Sequence, residues 1–108
     1  MKFEVTYNIR PNMFGGKEGT QTIMSDDNSS PYTIDECLNE IIFPEIKDKN
    51  ILELEKRNLL KMLEKIPVGA TTGLVFRNSN KIIYIKRIDD SATIADLITD
   101  WNWITRIL

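Results

Sequence analysis

Histidine is absent from the 108 residues and cysteine occurs once, at Cys37. Imidazole is the commonest general base and metal ligand near neutral pH, so its absence removes Ser-His, Cys-His and His-metal arrangements together. One cysteine cannot form an intramolecular disulfide, which excludes a stapled secreted scaffold. Long apolar runs are also missing: none approaches the ~20 residues needed to span a bilayer. Residues 1–10 alternate polar and apolar instead of placing a basic stretch before an apolar one. The sequence therefore predicts no signal peptide, no membrane association and a cytoplasmic location. The Asn28-Ser29-Ser30 sequon is then chance, since glycosylation needs a secretory route.

Neither charge sign dominates, with 14 Lys and Arg against 16 Asp and Glu and a net charge of −2. That gives little drive for non-specific binding to nucleic acid, which depends on cations displacing phosphate counterions. Catalytic signatures are missing as well. There is no P-loop, no Gly-x-Ser-x-Gly elbow and no Cys-x-x-Cys. Gly15, Gly16 and Gly19 lie between strands and open no helix, the context a phosphate-holding glycine loop requires. Asp26-Asp27-Asn28 and Asp48-Lys49-Asn50 lack the glycine and the closing glutamate of a calcium loop. The sequence assigns no catalytic residue, no metal ligand and no cofactor.

What is present suits one globular domain over residues 1–108, with 42% hydrophobic and 28% charged residues. Phe3, Val5, Tyr7 and Ile9 alternate with polar neighbours, the period of a half-buried strand. Residues 19–25 form a weaker strand, joined to the first through a loop containing Gly15 and Gly16. A polar, Ser-rich connection follows. Thr33 and Glu36 have the spacing of a capping box, and Ile34, Cys37, Leu38, Ile41 and Ile42 fall on one helical stripe that Pro44 ends or kinks. Asn50 and Glu53 suggest the start of a second helix, which Pro67 stops after Ile66.

Residues 69–77 and 81–88 read as a hairpin. Ile82, Ile83, Tyr84 and Ile85 put apolar groups on both faces, which predicts a central strand. In the final segment Ile94, Leu97, Ile98, Trp101, Ile104 and Leu108 share a helical face. A short helix followed by a strand would instead align Trp103, Thr105 and Ile107. The periodicity favours the helix. The expected fold is α+β: an antiparallel sheet of about four strands with two to three helices packed on it, in the order ββααββα.

Two apolar sites are candidates for partner contact. Met13 and Phe14 sit at a glycine-flanked loop tip, either as an anchor for a partner or folded back on the sheet. On a C-terminal helix, Trp103 and Ile107 stand opposite the core stripe beside Arg106, whereas the strand alternative buries Trp103. A homodimer seam is a further use of such a patch. Two bland readings accompany these. Glu55 lies on the apolar arc of the second helix among Ile51, Leu52, Leu59, Met62 and Ile66; burial would make it a proton-transfer group, but a first-turn position explains it better. Cys37 reads as a small core hydrophobe.

Arg77, Lys81, Lys86 and Arg87 on the hairpin, with Lys56, Arg57, Lys61 and Lys65 on the second helix, could track phosphates. Glu53 and Glu64 are interleaved among the helix cations, and Glu53 and Arg57 are spaced as an i,i+4 pair, so a solvated face is the simpler reading. The Ile, Asn and Lys bias suits an AT-rich bacterial or phage genome. The resulting expectation is a small non-enzymatic protein acting through protein-protein contact, of the inhibitor, accessory or immunity type. A nucleic-acid-binding regulator and a carboxylate-dependent enzyme centred on Glu55 are the alternatives.

Overall fold

The computed structural model describes residues 1–11, 13–15, 17–89 and 104–107, with Pro11, Lys17 and residues 104–107 described as backbone. Strands β1 (Lys2–Pro11) and β2 (Lys17–Ser25) form the first hairpin, and a short β3 (Tyr32–Thr33) follows. Helix α1 (Ile34–Cys37) runs into a π-helical turn (Leu38–Ile42) and is succeeded by α2 (Lys49–Lys65). Strands β4 (Thr71–Phe76) and β5 (Lys81–Arg87) make the second hairpin, and β6 (Ile104–Ile107) completes a six-stranded sheet ordered β3-β2-β1-β5-β4-β6.

The α+β class holds, but the sheet is mixed and not antiparallel throughout. β3 runs parallel to β2, and β6 runs parallel to β4. The expected C-terminal helix does not reach residues 104–107. Ile104, Thr105 and Ile107 are β-branched, and the free edge of β4 offers them a hydrogen-bonded ladder that helical periodicity does not weigh.

Period-two alternation places β1 and β5 as expected. Phe3 and Val5 of β1, Met24 of β2, Ile83 and Ile85 of β5, and Leu74 of β4 are fully buried. They meet Cys37, Leu38 and Ile42 from α1 and its π turn, and Leu59, Leu63 and Ile66 from α2. Ile82 and Tyr84, on the opposite face of β5, are half-buried. β5 is interior, between β1 and β4.

The capping box at Thr33 is formed in both directions: Glu36 N donates to Thr33 Oγ1 at 3.2 Å, and Thr33 N donates to Glu36 Oε1 at 3.4 Å. The helix it starts widens after one turn, and Phe43 N donates to Leu38 O, five residues back, at 2.8 Å. Pro44 disfavours helical backbone at Phe43, so the chain leaves here. α2 begins earlier than its sequence suggests. Asp48, not Asn50, is the N-cap, and its carboxylate accepts from Asn50 N and Ile51 N. The fully buried positions of α2 start only at Leu59; in the first turn Leu52 still packs against the core, but Ile51 is 51% exposed where the apolar arc placed it inside.

Candidate protein-contact site

β5 pairs with β1 only between Phe3 and Thr6. From Tyr7 onward β1 has no ladder partner but β2 among the described residues, although β5 itself runs back to Lys81, so the hairpin leaves β5 as a two-stranded arm. The register slips between Tyr7 and Arg10, where Asn8 and Ile9 together oppose Gly19. Asn8 takes a left-handed conformation at φ 52°, which asparagine tolerates better than most residues. Gly19 is required there: a Cβ would lie 2.9 Å from Tyr7 O and 2.9 Å from Thr6 Cγ2. The bulge therefore bends the arm away from β5 and opens a groove of about 470 Å³ at its base, between Asn8, Ile9 and Arg10 on one side and Glu45, Asn80 and Lys81 on the other.

Met13 and Phe14 occupy the turn at the end of this arm, each with 88% of its surface exposed, ahead of Gly15 at φ 80°. Of the two readings of this pair, folding back onto the sheet is the one the structure rejects. The other expected contact residues do not join them. Trp103 lies outside the described residues, as do the side chains of Arg106 and Ile107. The backbone of the latter two pairs with Leu74 and Val75 in β6. With β5 and β4 intervening, β6 stands three strand spacings, about 14 Å, from β1.

Several cations that could have tracked phosphates are instead engaged within the fold. Lys81 Nζ donates to Ile42 O at 3.0 Å and Glu45 Oε1 at 2.6 Å, and lies 4.1 Å from the centre of the Phe76 ring. Arg87 Nη1 donates to Ile66 O at 2.9 Å at the end of α2, and Arg87 Nη2 pairs with Asp89 at 2.9 Å. Lys56 bridges Asp35 at 2.6 Å and Glu53 at 3.2 Å, so Glu53 is engaged three residues on, at Lys56, where the sequence suggested Arg57. Sequence reasoning missed these ties. Their signal is parity: residues 81 and 87 share a strand face with buried Ile83 and Ile85, and so had to meet acceptors.

A second groove of about 410 Å³ lies between α1 and α2; its carboxylates Asp35 and Glu53 are held by Lys56, and Asp26 by the Met1 amine at 2.9 Å. Glu55 is half-buried and lines neither groove. Among the described residues no group of three acidic, Cys or His side chains could hold a metal ion. Cys37 is completely buried, and burial, reinforced by nearby Glu40, pushes its thiol up to about 12. It is a core residue, inert as a nucleophile. Among the described residues no helix is long and apolar enough to cross a membrane. Comparison with protein families, curated proteins and solved structures finds no match, so the reading of this chain rests on its own chemistry.

Proposed function

We propose that this protein works by contact, inserting the tip of the β1–β2 arm into an apolar recess on another protein, in the manner of an inhibitor, accessory or immunity-type factor. The observation that carries this reading is the exposure of Met13 and Phe14, side by side at the end of a projecting ribbon. Large apolar side chains held in water are costly, and their burial by a partner is worth roughly 1.5–3 kcal/mol each. The bulge opposite Gly19 supports it further, because such features re-aim a strand end toward a partner or site.

The test uses the full chain as bait against a lysate of its host, beside the Met13→Ala/Phe14→Ala double variant. A protein retained by the parent chain and lost from the variant, with melting temperature unchanged, supports the tip as the anchor. With a purified partner the expected loss from Phe14→Ala is about 2 kcal/mol, about thirtyfold in Kd. Identical retention by both baits would remove the tip from the interface.

A further inference from the structure

The alternation of β5 decides where each of its backbone groups points. Arg87 N donates to Ala70 O at 3.0 Å, so the odd residues of β5 bond toward β4. Ile88 N donates to Lys2 O at 2.9 Å, so the even residues bond toward β1, and Lys86 and Tyr84 accordingly stand opposite Glu4 and Thr6. Ile82 is the next even residue, and the same register would set it opposite Asn8. The bulge turns Asn8 into the left-handed region, and the ladder between β1 and β5 ends at Thr6. The N–H and C=O of Ile82 therefore point into the fork between the two strands, with no ladder partner among the described residues.

That fork is the groove of about 470 Å³ at the base of the arm. Along it Asn8, Arg10, Pro44, Glu45, Ser79 and Asn80 are all exposed, so it stands open to solvent. Its charge is uneven. Lys81 is occupied by Ile42 O, Glu45 and the Phe76 ring, and in turn neutralises Glu45. Arg10 makes no hydrogen bond or ion pair among the described residues, while Glu18, opposite it in the ladder, is engaged elsewhere and does not line the groove. One cation is thus left over. The groove between α1 and α2 has no such surplus, because the Met1 amine, Lys56 and Arg57 there meet Asp26, Asp35 and Glu53.

Resting on the reading that the protein acts by contact with another protein, we propose that this fork takes a short acidic segment of that partner. The segment bonds its backbone to the open N–H and C=O of Ile82 and sets a carboxylate on the Arg10 guanidinium. Apolar side chains beside that carboxylate suit Ile9 and Ile82 in the groove. The three residues from Arg10 to Met13 span at most about 11 Å, so one partner surface can hold the tip and fill the fork together.

The probe is the acetylated, amidated peptide Val-Glu-Val, with Val-Gln-Val as its uncharged counterpart, added at low salt to the isotope-labelled full chain. Resonances of the Ile82 amide and the Arg10 side chain shift with the acidic probe, which binds about threefold to fivefold more tightly than the uncharged one. Arg10→Gln binds the two probes alike, with the Ile82 amide still responding and the melting temperature of the parent chain retained.

The proposal is overturned by no response at Ile82 up to the solubility of the probe, by equal binding of the two probes to the parent chain, or by a preference that survives Arg10→Gln. Acetate alone reproducing the shifts would reduce the site to a simple anion contact and overturn it too. So would self-association of the parent chain that Arg10→Gln abolishes, since a second copy would then occupy the fork. Phe14→Ala keeps the preference for the acidic probe, so the fork and the tip fail separately. A chain whose fork responds while its tip variant keeps every partner would sink the tip reading and leave the fork standing.

Discussion

Arg87 joins three parts of the molecule. Its guanidinium donates to Ile66 O and Glu64 O at the end of α2, and it pairs with Asp89, whose carboxylate accepts from Lys2 N at 2.7 Å. Helix, strand and the exit of β5 are thereby tied by charged hydrogen bonds, each worth about 1.5–3 kcal/mol when removal strands a partner. Arg87→Ala is expected to cost about 2 kcal/mol in a urea titration, and a change within error would show the ties to be redundant.

Burial works to raise the Asp89 carboxyl, but the Arg87 guanidinium and the Lys2 N–H outweigh it and hold the group below its ordinary value. The Ser29 hydroxyl, the Ser29 N–H and the Ser25 hydroxyl lower Asp27 further, to about 2. A carboxyl depressed in the folded state stabilises it above the unfolded pKa, and that contribution is lost as pH falls through the folded value. Stability should therefore be level above about pH 5 and decline between about pH 4 and about pH 2, with Asp89→Asn flattening part of that decline. A decline that begins near neutrality, or is unchanged in the variant, would assign acid sensitivity to other groups.

At the scale of elements, the first hairpin shows how a local defect becomes a surface feature. A bulge costs a ladder position, and here it detaches the arm from β5 and carries Met13 and Phe14 outward. Gly19→Ala places a methyl against the carbonyl of Tyr7, which cannot retreat without shifting β1. The expected penalty is about 1–3 kcal/mol, with chemical-shift changes concentrated on residues 6–9 and 19. A neutral substitution would mean that the bulge relaxes freely.

Element existence was legible along most of the chain because alternation, capping residues and proline act over a few neighbours. The Thr33 box is formed as its spacing implies. The start of α2 was misplaced because Asp48 and Asn50 are both good caps, and only the backbone path out of the π turn selects the first. The direction of β6 was not legible at all, since its partner β4 lies about thirty residues away in sequence and pairing across that distance leaves no local period.

At the scale of the molecule, the buried residues described here form a core between the helices and one face of the sheet, and Cys37 is sealed inside it. Its thiol reports on global opening. Modification by an aromatic disulfide at pH 8 is expected to proceed only through the unfolded state, at a rate reduced by the folding equilibrium constant. Reaction of the native protein at the rate of the denatured chain would place Cys37 at the surface.

The sequence alone excluded histidine-based chemistry and an internal disulfide, because composition is independent of folding. It also located β1, the two hairpins, the Thr33 cap and Met13 with Phe14 at a loop tip, because each of these is written in neighbouring residues. Tertiary structure decided the rest: that Met13 and Phe14 are exposed at the end of the first hairpin, and that Lys81 and Arg87 are engaged by carbonyls at the ends of the helical segments. Those outcomes depend on which distant strand or helix arrives beside each residue, and a one-dimensional pattern does not contain that information.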